Sequence, residues 1–148
     1  MRVFIENERG STTKNLFNEK TLEFRKSVTV SRPYPFPYGF VLETTSGDGD
    51  NFDCFVLTDQ HLTKSMIVDV EPIGMFEQIE DGKEDPKILA AMPGESPTIS
   101  EETRSLMKEF CEHVFDHLPG RNLIVGRFLD AKSAQALLEK SRDQIKEE

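Results

Sequence analysis

Short runs of β-forming residues, each ended by Gly, Pro, Asn or Asp, dominate the first 91 residues of this chain. Regularly spaced short strands without intervening helical patterns favour an antiparallel barrel or sandwich. The runs cover residues 2–5, 27–30, 40–42, 54–57, 66–70 and 87–91. The sequence therefore predicts a mainly β fold in this part of the chain.

The pattern becomes helical after residue 100. Apolar residues recur at helical spacing between residues 100 and 117, which predicts a first helix. Thr98 and Glu101 would form its capping box, and Pro119-Gly120 would end it. Asp130 is a good N-cap for a second helix. The apolar residues expected on the buried faces are Leu106, Met107, Phe110 and Val114 in the first helix, and Ala134, Leu137, Leu138 and Ile145 in the second.

The length and charge of the chain limit its class. Its 148 residues suit one domain, spanning 1–148, that can bury a core without disulfides or structural zinc. We therefore interpret Cys54 and Cys111 as reduced core thiols. A formal charge of −9 argues against non-specific nucleic-acid binding, which depends on basic patches. No apolar run reaches the roughly 20 residues of a membrane helix, so we expect a cytoplasmic protein that binds neither nucleic acid nor membrane.

The negative charge is concentrated in two short windows between apolar segments. The first window, residues 43–53, holds four acids and no base, and contains the block Gly47-Asp48-Gly49-Asp50-Asn51-Phe52-Asp53. Convergent carboxylates of this kind suit Mg²⁺, which prefers oxygen ligands. A calcium EF-hand loop does not fit, because counting from Asp48 puts Asp53, and no glycine, at the sixth position. A polar turn whose aspartates cap backbone groups explains an isolated block of this kind equally well.

The second window, residues 77–85, holds five acids and one base, and Lys87 follows it. Two acidic loops at the ends of β-runs could converge on one cluster of cations. Such a cluster would neutralise a phosphate substrate and acidify a bound water, while basic side chains such as Lys87 bound the remaining charge. The alternative is a surface ion pair between Lys87 and Asp85, which would contribute little.

These residues make the chain resemble soluble family I inorganic pyrophosphatases. The matching pieces occur in the same order as in the family and span nearly the whole chain. The D-G-D-x-x-D block followed by E-D-x-K is specific in combination. The pieces that carry the resemblance are Ile5-Glu6 with Gly10-Ser11 and Lys14; Tyr34-Pro35 with Tyr38-Gly39-Phe40; Asp48 to Asp53; Glu71-Pro72-Ile73-Gly74; Glu80-Asp81 with Glu84-Asp85 and Lys87; and Phe110-Cys111-Glu112-His113.

The resemblance implies a five-stranded OB-type barrel with flanking helices that hydrolyses pyrophosphate to two phosphates with Mg²⁺, or with Mn²⁺ or another divalent cation. It assigns Asp50 as the acceptor of a proton from the nucleophilic water. Because members of the family assemble, it also suggests a homo-oligomer. The implied metal ligands are Asp48, Asp53, Asp85, Glu80 and Glu6. The implied phosphate contacts are Lys14, Tyr38, Lys87 and one of the pair Arg25 and Lys26.

Several positions depart from the family pattern. Asn51 stands where the family has Pro or Glu, and Glu80 replaces an aspartate, with Asp81 as a substitute ligand. Leu16 stands where the family has an acid, so one carboxylate is missing near the site. A gapless alignment puts Lys26 at the family's arginine and loses a bidentate contact that lysine cannot copy, whereas a shift of one residue restores Arg25.

The largest departure lies on the first predicted helix. Val114-Phe115 replaces the family's Tyr-Lys, and neither side chain can donate a hydrogen bond to phosphate. Arg121 or Arg127 is a candidate replacement. The main hypothesis is a divergent, slower inorganic pyrophosphatase. The alternatives are a catalytically impaired phosphate-binding or partner-binding protein, and a hydrolase of a larger phosphoanhydride.

Overall fold

A computed structural model describes residues 1–47 and 49–143 of the chain. The helices are α1 Glu101–His113 and α2 Ala131–Lys140. The strands are β1 Arg2–Asn7, β2 Thr13–Phe17, β3 Phe24–Thr29, β4 Tyr38–Val41, β5 Asp53–Val56, β6 Ile67–Asp69, β7 Glu71–Glu80, β8 Lys83–Glu84, β9 Lys87–Ala91 and β10 Leu123–Asp130. Asp48 and Ile145 lie outside the described residues. Within these ranges no helix is long and apolar enough to cross a membrane.

One large sheet carries most of the strands, in the order β10-β7-β9-β5-β4-β1-β6 with β8 paired to β7. Neighbouring strands are antiparallel except β5 and β9, which are parallel. The hairpin β2-β3 forms a separate two-stranded sheet. Among the described residues the sheet does not close on itself, but it is compatible with an OB-type fold. The expected mainly β fold with C-terminal helices is confirmed.

Two buried clusters lie on opposite faces of the central strands. Successive side chains of a strand point to opposite faces, so Cys54 and Val56 join one cluster while Phe55 and Leu57 join the other. Helix α2 covers the first face and α1 covers the second. Cys54 and Cys111 are free and buried, as predicted.

Both helices begin close to the expected residues, but α1 ends at His113, before the expected stop at Pro119-Gly120. Ser100, and not Thr98, caps α1 by accepting a hydrogen bond from the Thr103 amide, so the predicted capping box is wrong by two residues. Asp130 caps α2 by accepting from the Ser133 amide, as predicted. Leu106 is 46% exposed and does not belong to the core, because it lies off the side of α1 that buries Met107 and Phe110.

Candidate active site

Charged residues from both acidic windows and from the N-terminal strands line one cavity of about 210 Å³ on the α1 side of the sheet. We call this cavity the acid–lysine pocket. Apolar side chains, including Phe115 and Leu16, complete its wall. Its charged lining residues are Glu6, Lys14, Glu19, Asp50, Asp53, Glu80, Asp85 and Lys87.

Lys87 lies at the centre of the acid–lysine pocket. The parallel pairing of β5 and β9 places it directly opposite Asp53, 34 residues away in sequence. Its Nζ lies 2.5 Å from Asp53 Oδ2 and 2.9 Å from Asp85 Oδ2. Burial disfavours the ammonium, but the two carboxylates outweigh this effect and raise the pKa of Lys87. Lys87 is therefore a permanently charged, buried group rather than half of a surface ion pair.

Two buried tyrosines lie beside this lysine. Tyr38 of β4 accepts a hydrogen bond of 3.3 Å from Lys87 Nζ through its hydroxyl oxygen. Burial, and then the nearby Asp53, raise the pKa of Tyr38 well above its usual range. Tyr34 packs between Tyr38 and Phe110, with ring centroids 5.4 and 4.6 Å away. Tyr38 consequently keeps its proton and can donate it in a hydrogen bond.

The carboxylates that line the acid–lysine pocket outnumber the cations that line it. Glu6, near the end of β1, is 7% exposed, and burial, followed by the charge of Asp53, raises its pKa to about 8. Burial also raises the pKa of Asp53, although Lys87 opposes the shift. The side-chain oxygen Oε1 of Gln78, which lines the same pocket, is buried and has no hydrogen-bond partner in the described part of the chain.

These donors fit a hard divalent cation, because they are oxygens carrying excess negative charge. No three acidic, His or Cys side chains among residues 1–47 and 49–143 already form a metal cage. Lys87 lies between Asp53 and Asp85, and Arg121 donates hydrogen bonds to Glu80 and, at 3.0 Å, to Asp81. Protein cations thus neutralise several of the carboxylates that a metal would bind.

The structure separates the predicted phosphate contacts into two groups. Lys14 lines the acid–lysine pocket with its Nζ 5.1 Å from the Phe115 ring centroid. Arg25 and Lys26 lie on the exposed strand β3 and do not line the pocket. Lys26 pairs with Leu16 across the hairpin and so shares the face of a pocket residue, whereas Arg25 lies at the register shift between this pair and the Phe17–Phe24 pair.

The helix end that lacks the family's Tyr-Lys is apolar. Val114 is buried in the apolar cluster that α1 covers, and Phe115 forms part of the pocket wall. The Arg121 guanidinium lies 4.4 Å from the Phe115 ring centroid, but Arg121 does not itself line the pocket. Arg127 instead forms an exposed ion pair with Glu77 and contributes nothing to the pocket.

Two polar lining residues have no counterpart among the residues predicted from sequence. Gln78 lies on β7, two residues before Glu80, in a strand that the sequence did not predict. Glu19 lies in the turn between β2 and β3, and reaches the pocket only because that hairpin folds against the aspartate block. The register of β7 could have indicated Gln78, but no local signal indicates Glu19.

Comparison with known proteins gives a consistent result. The family model described as inorganic pyrophosphatase matches residues 3–146. The inorganic pyrophosphatase of Nanoarchaeum equitans is 28% identical over 156 residues, covering 99% of this chain and 98% of that protein. That of Methanosarcina mazei is 29% identical over 157 residues, covering 99% and 92%. The solved structure of the Helicobacter pylori inorganic pyrophosphatase superposes with a TM-score of 0.84 at 27% identity, covering 95% of this chain and 90% of that one.

Proposed function

Because this chain belongs to the inorganic pyrophosphatase family, we propose that it hydrolyses inorganic pyrophosphate to two phosphates with Mg²⁺. The observation that carries the proposal is the buried Lys87, held between Asp53 and Asp85 beside the Tyr38 hydroxyl. This arrangement gives a charged donor and a neutral donor for phosphoryl oxygens, next to carboxylates for a cation. Electrostatic groups fixed in a partly buried site of this kind are effective catalysts of phosphoryl transfer.

The acidic side chains of the acid–lysine pocket would hold the cations. When bound there, Mg²⁺ neutralises phosphoryl oxygens and lowers the pKa of a bound water. We assign the role of ligand to Glu6, Asp53, Glu80 and Asp85, together with Asp48, which lies outside the described residues. The excess of carboxylates over cations in the lining of the pocket supports this assignment.

Hydrolysis requires one proton transfer and one bond cleavage. The oxygen of a water molecule attacks one phosphorus, the bond from that phosphorus to the bridging oxygen breaks, and the bridging oxygen leaves on the other phosphate. Asp50, on the rim of the acid–lysine pocket, accepts the proton of the water. Lys14, Lys87 and Tyr38 donate hydrogen bonds to the phosphoryl oxygens. Arg25 and Lys26 contribute less, since neither lines the pocket.

Because Val114-Phe115 replaces the family's Tyr-Lys pair, we propose that kcat is lower than in relatives that carry the pair. Removing one charged donor from an electrostatic site costs about 100-fold in rate. Arg121 lies against Phe115, but it does not line the pocket and donates its hydrogen bonds to Glu80 and Asp81, so it does not replace the missing donors.

The direct test is phosphate release from pyrophosphate by the purified protein. We expect release with about 5 mM Mg²⁺ and none above background with EDTA, because the cation supplies the activated water. Asp50→Asn should lower kcat by about 100-fold or more, since it removes the proton acceptor. Asp69→Asn, at an exposed position on β6, is the matched control and should keep the wild-type rate. Equal release with Mg²⁺ and with EDTA would refute the proposal.

A second candidate function is phosphate binding without useful turnover, favoured by the apolar Val114 and Phe115 in the pocket wall. Calorimetry with pyrophosphate distinguishes it from hydrolysis. Saturable binding without phosphate release would support this second function. Phosphate release from a nucleoside triphosphate would instead support hydrolysis of a larger phosphoanhydride.

Cytoplasmic location and homo-oligomer formation stay predictions. Light scattering would test the homo-oligomer.

A further inference from the structure

Hydrogen bonds to Asn51 fasten the turn between β2 and β3 to the aspartate block. Oε1 of Glu19 accepts a hydrogen bond of 2.8 Å from the Asn51 backbone amide. Nζ of Lys20 donates a hydrogen bond of 2.9 Å to Oδ1 of the same residue. Asn51 is 3% exposed and is anchored in turn by a bond of 3.0 Å from its Nδ2 to the Val41 carbonyl. These contacts fix Glu19 against the loop that carries Asp50 and Asp53.

The Glu19 carboxylate belongs to the acid–lysine pocket. It lines the cavity together with Glu6, Asp50 and Asp53, and its charge contributes to the raised pKa of Glu6. Burial raises the pKa of Glu19 itself to about 7, and the charges of Asp53 and Asp50 raise it further, whereas the Asn51 hydrogen bond and the charge of Lys20 lower it. In the described part of the chain, no Lys, Arg or His lies within ion-pair distance of Glu19. A partly buried carboxylate facing other carboxylates is stabilised by a bound cation.

Two departures from the family pattern meet at Glu19. The first is Leu16, an apolar pocket residue where the family has an acid. The second is Asn51, where the family has Pro or Glu. A proline has no amide hydrogen and could not donate to Glu19. The pocket therefore has no carboxylate at Leu16 on β2 but has one at Glu19 in the following turn, and the Asn51 amide positions it.

We propose that Glu19 supplies a carboxylate oxygen to the divalent cations of the acid–lysine pocket, in place of the acid missing at Leu16, with Asn51 as its positioning residue. This inference rests on the proposed metal-dependent function. It adds a metal-binding residue from outside the aligned motifs of the family.

The test is a calorimetric titration of the substrate-free protein with Mg²⁺ alone. Glu19→Gln keeps the oxygen that accepts from Asn51 and removes the charge, so it should fold normally. We expect its Mg²⁺ affinity to fall about 10- to 100-fold, the range found when groups that support a metal site are lost. Glu23→Gln lies in the same turn on an exposed side chain and should bind Mg²⁺ like the wild type.

A rescue variant separates the charge from the fold of the hairpin. Adding Leu16→Glu to Glu19→Gln returns a carboxylate to the pocket from the neighbouring strand position. We expect this double variant to recover most of the lost Mg²⁺ affinity. Thermal unfolding of each metal-free variant shows whether the hairpin has kept its structure.

Different results would overturn the inference and the proposed function. Wild-type affinity in Glu19→Gln, in a protein that hydrolyses pyrophosphate, overturns the role of Glu19 alone. An equal loss of affinity in Glu23→Gln also overturns it, because the effect would then belong to the turn as a whole. A wild-type protein that neither binds Mg²⁺ nor releases phosphate overturns both.

Discussion

The Lys87 ammonium contacts three polar groups at once. It is shared between Asp53, Asp85 and the Tyr38 hydroxyl, with only 6% of the residue exposed. The sequence placed Lys87 two residues after Asp85, which is equally compatible with a surface pair. Only the pairing of β5 with β9 brings Asp53 to it and makes the site buried.

Replacing this lysine should affect both catalysis and stability. We expect Lys87→Met to lower kcat by about 100-fold or more, because a charged donor to the substrate is lost. We also expect the metal-free protein to lose about 3–5 kcal/mol of unfolding free energy, because two buried carboxylates lose their partner. Steady-state kinetics and urea unfolding with EDTA measure the two effects.

The matched control for that experiment is Lys83→Met, at an exposed position on β8. Its unfolding free energy should stay within about 0.5 kcal/mol of the wild type. A Lys87→Met protein with wild-type kcat would contradict the assignment of Lys87 to the substrate.

Among the secondary-structure elements, helix α2 depends on a cap that the sequence already indicated. Asp130 ends β10 and accepts from the Ser133 amide with an Oδ1–N distance of 2.9 Å. Ala134 and Leu138 of the same helix pack into the cluster that contains Cys54 and Val56. The cap therefore supports the sheet face opposite the acid–lysine pocket.

We expect Asp130→Ala to lower the free energy of unfolding by about 1 kcal/mol, because the first turn of α2 loses its hydrogen-bond acceptor. Urea denaturation measures this change, and Gln135→Ala on the exposed side of α2 is the control. The Mg²⁺ affinity of Asp130→Ala should equal that of the wild type. A tenfold change in that affinity would show that α2 communicates with the pocket, contrary to this prediction.

The strands that contain a compact apolar run could be predicted from the sequence, whereas β2, β7, β8 and β10 could not. The longest strand, β7, was missed because Pro72 and Gly74 resemble a turn, and its pairing with β9 shifts register between them. A β-carbon at Gly74 would lie 2.6 Å from Ile99 Cδ1 and 3.0 Å from the Leu129 carbonyl oxygen, so a larger residue there would require the Ile99 side chain to move. Strand β10 is similarly irregular, with a register shift between Val125 and Phe128.

The same distinction applies to the candidate site. Residues within compact motifs, such as Asp53 and Lys87, could be identified by type and spacing. Glu19 could not, because its place in the pocket depends on the docking of one hairpin onto a distant loop. The pairing of Lys26 with the pocket residue Leu16 likewise follows from strand register, which the sequence does not specify.

At the scale of the whole molecule, part of the net charge of −9 lowers the free energy of unfolding, because some of the carboxylates ionise in a partly buried pocket. Glu6 has a pKa of about 8 in the folded protein, against about 4.3 for an unfolded glutamate. Between these values the folded state holds a proton that the unfolded state has released. Unfolding free energy therefore falls as the pH rises through this window and levels off above about pH 8. Glu19, with a pKa of about 7, acts in the same direction.

We accordingly expect the metal-free protein to have a higher Tm at about pH 5.5 than at about pH 8. Adding Mg²⁺ should raise the Tm at pH 8 much more than at pH 5.5, because the ionised carboxylates bind the cation. Thermal unfolding followed by circular dichroism, with EDTA or with Mg²⁺, measures both effects. Glu6→Gln should flatten the metal-free profile, whereas a metal-free Tm that rises between the two pH values would contradict the prediction.

The parallel pairing of β5 and β9 also bears on how such a protein can change over generations. Backbone hydrogen bonds hold Asp53 opposite Lys87, so their contact survives the exchange of many surrounding side chains. Val114 and Phe115 follow the last residue of α1, and no strand register fixes them. Mutational drift at that helix end can therefore proceed while the pair on the strands keeps its geometry.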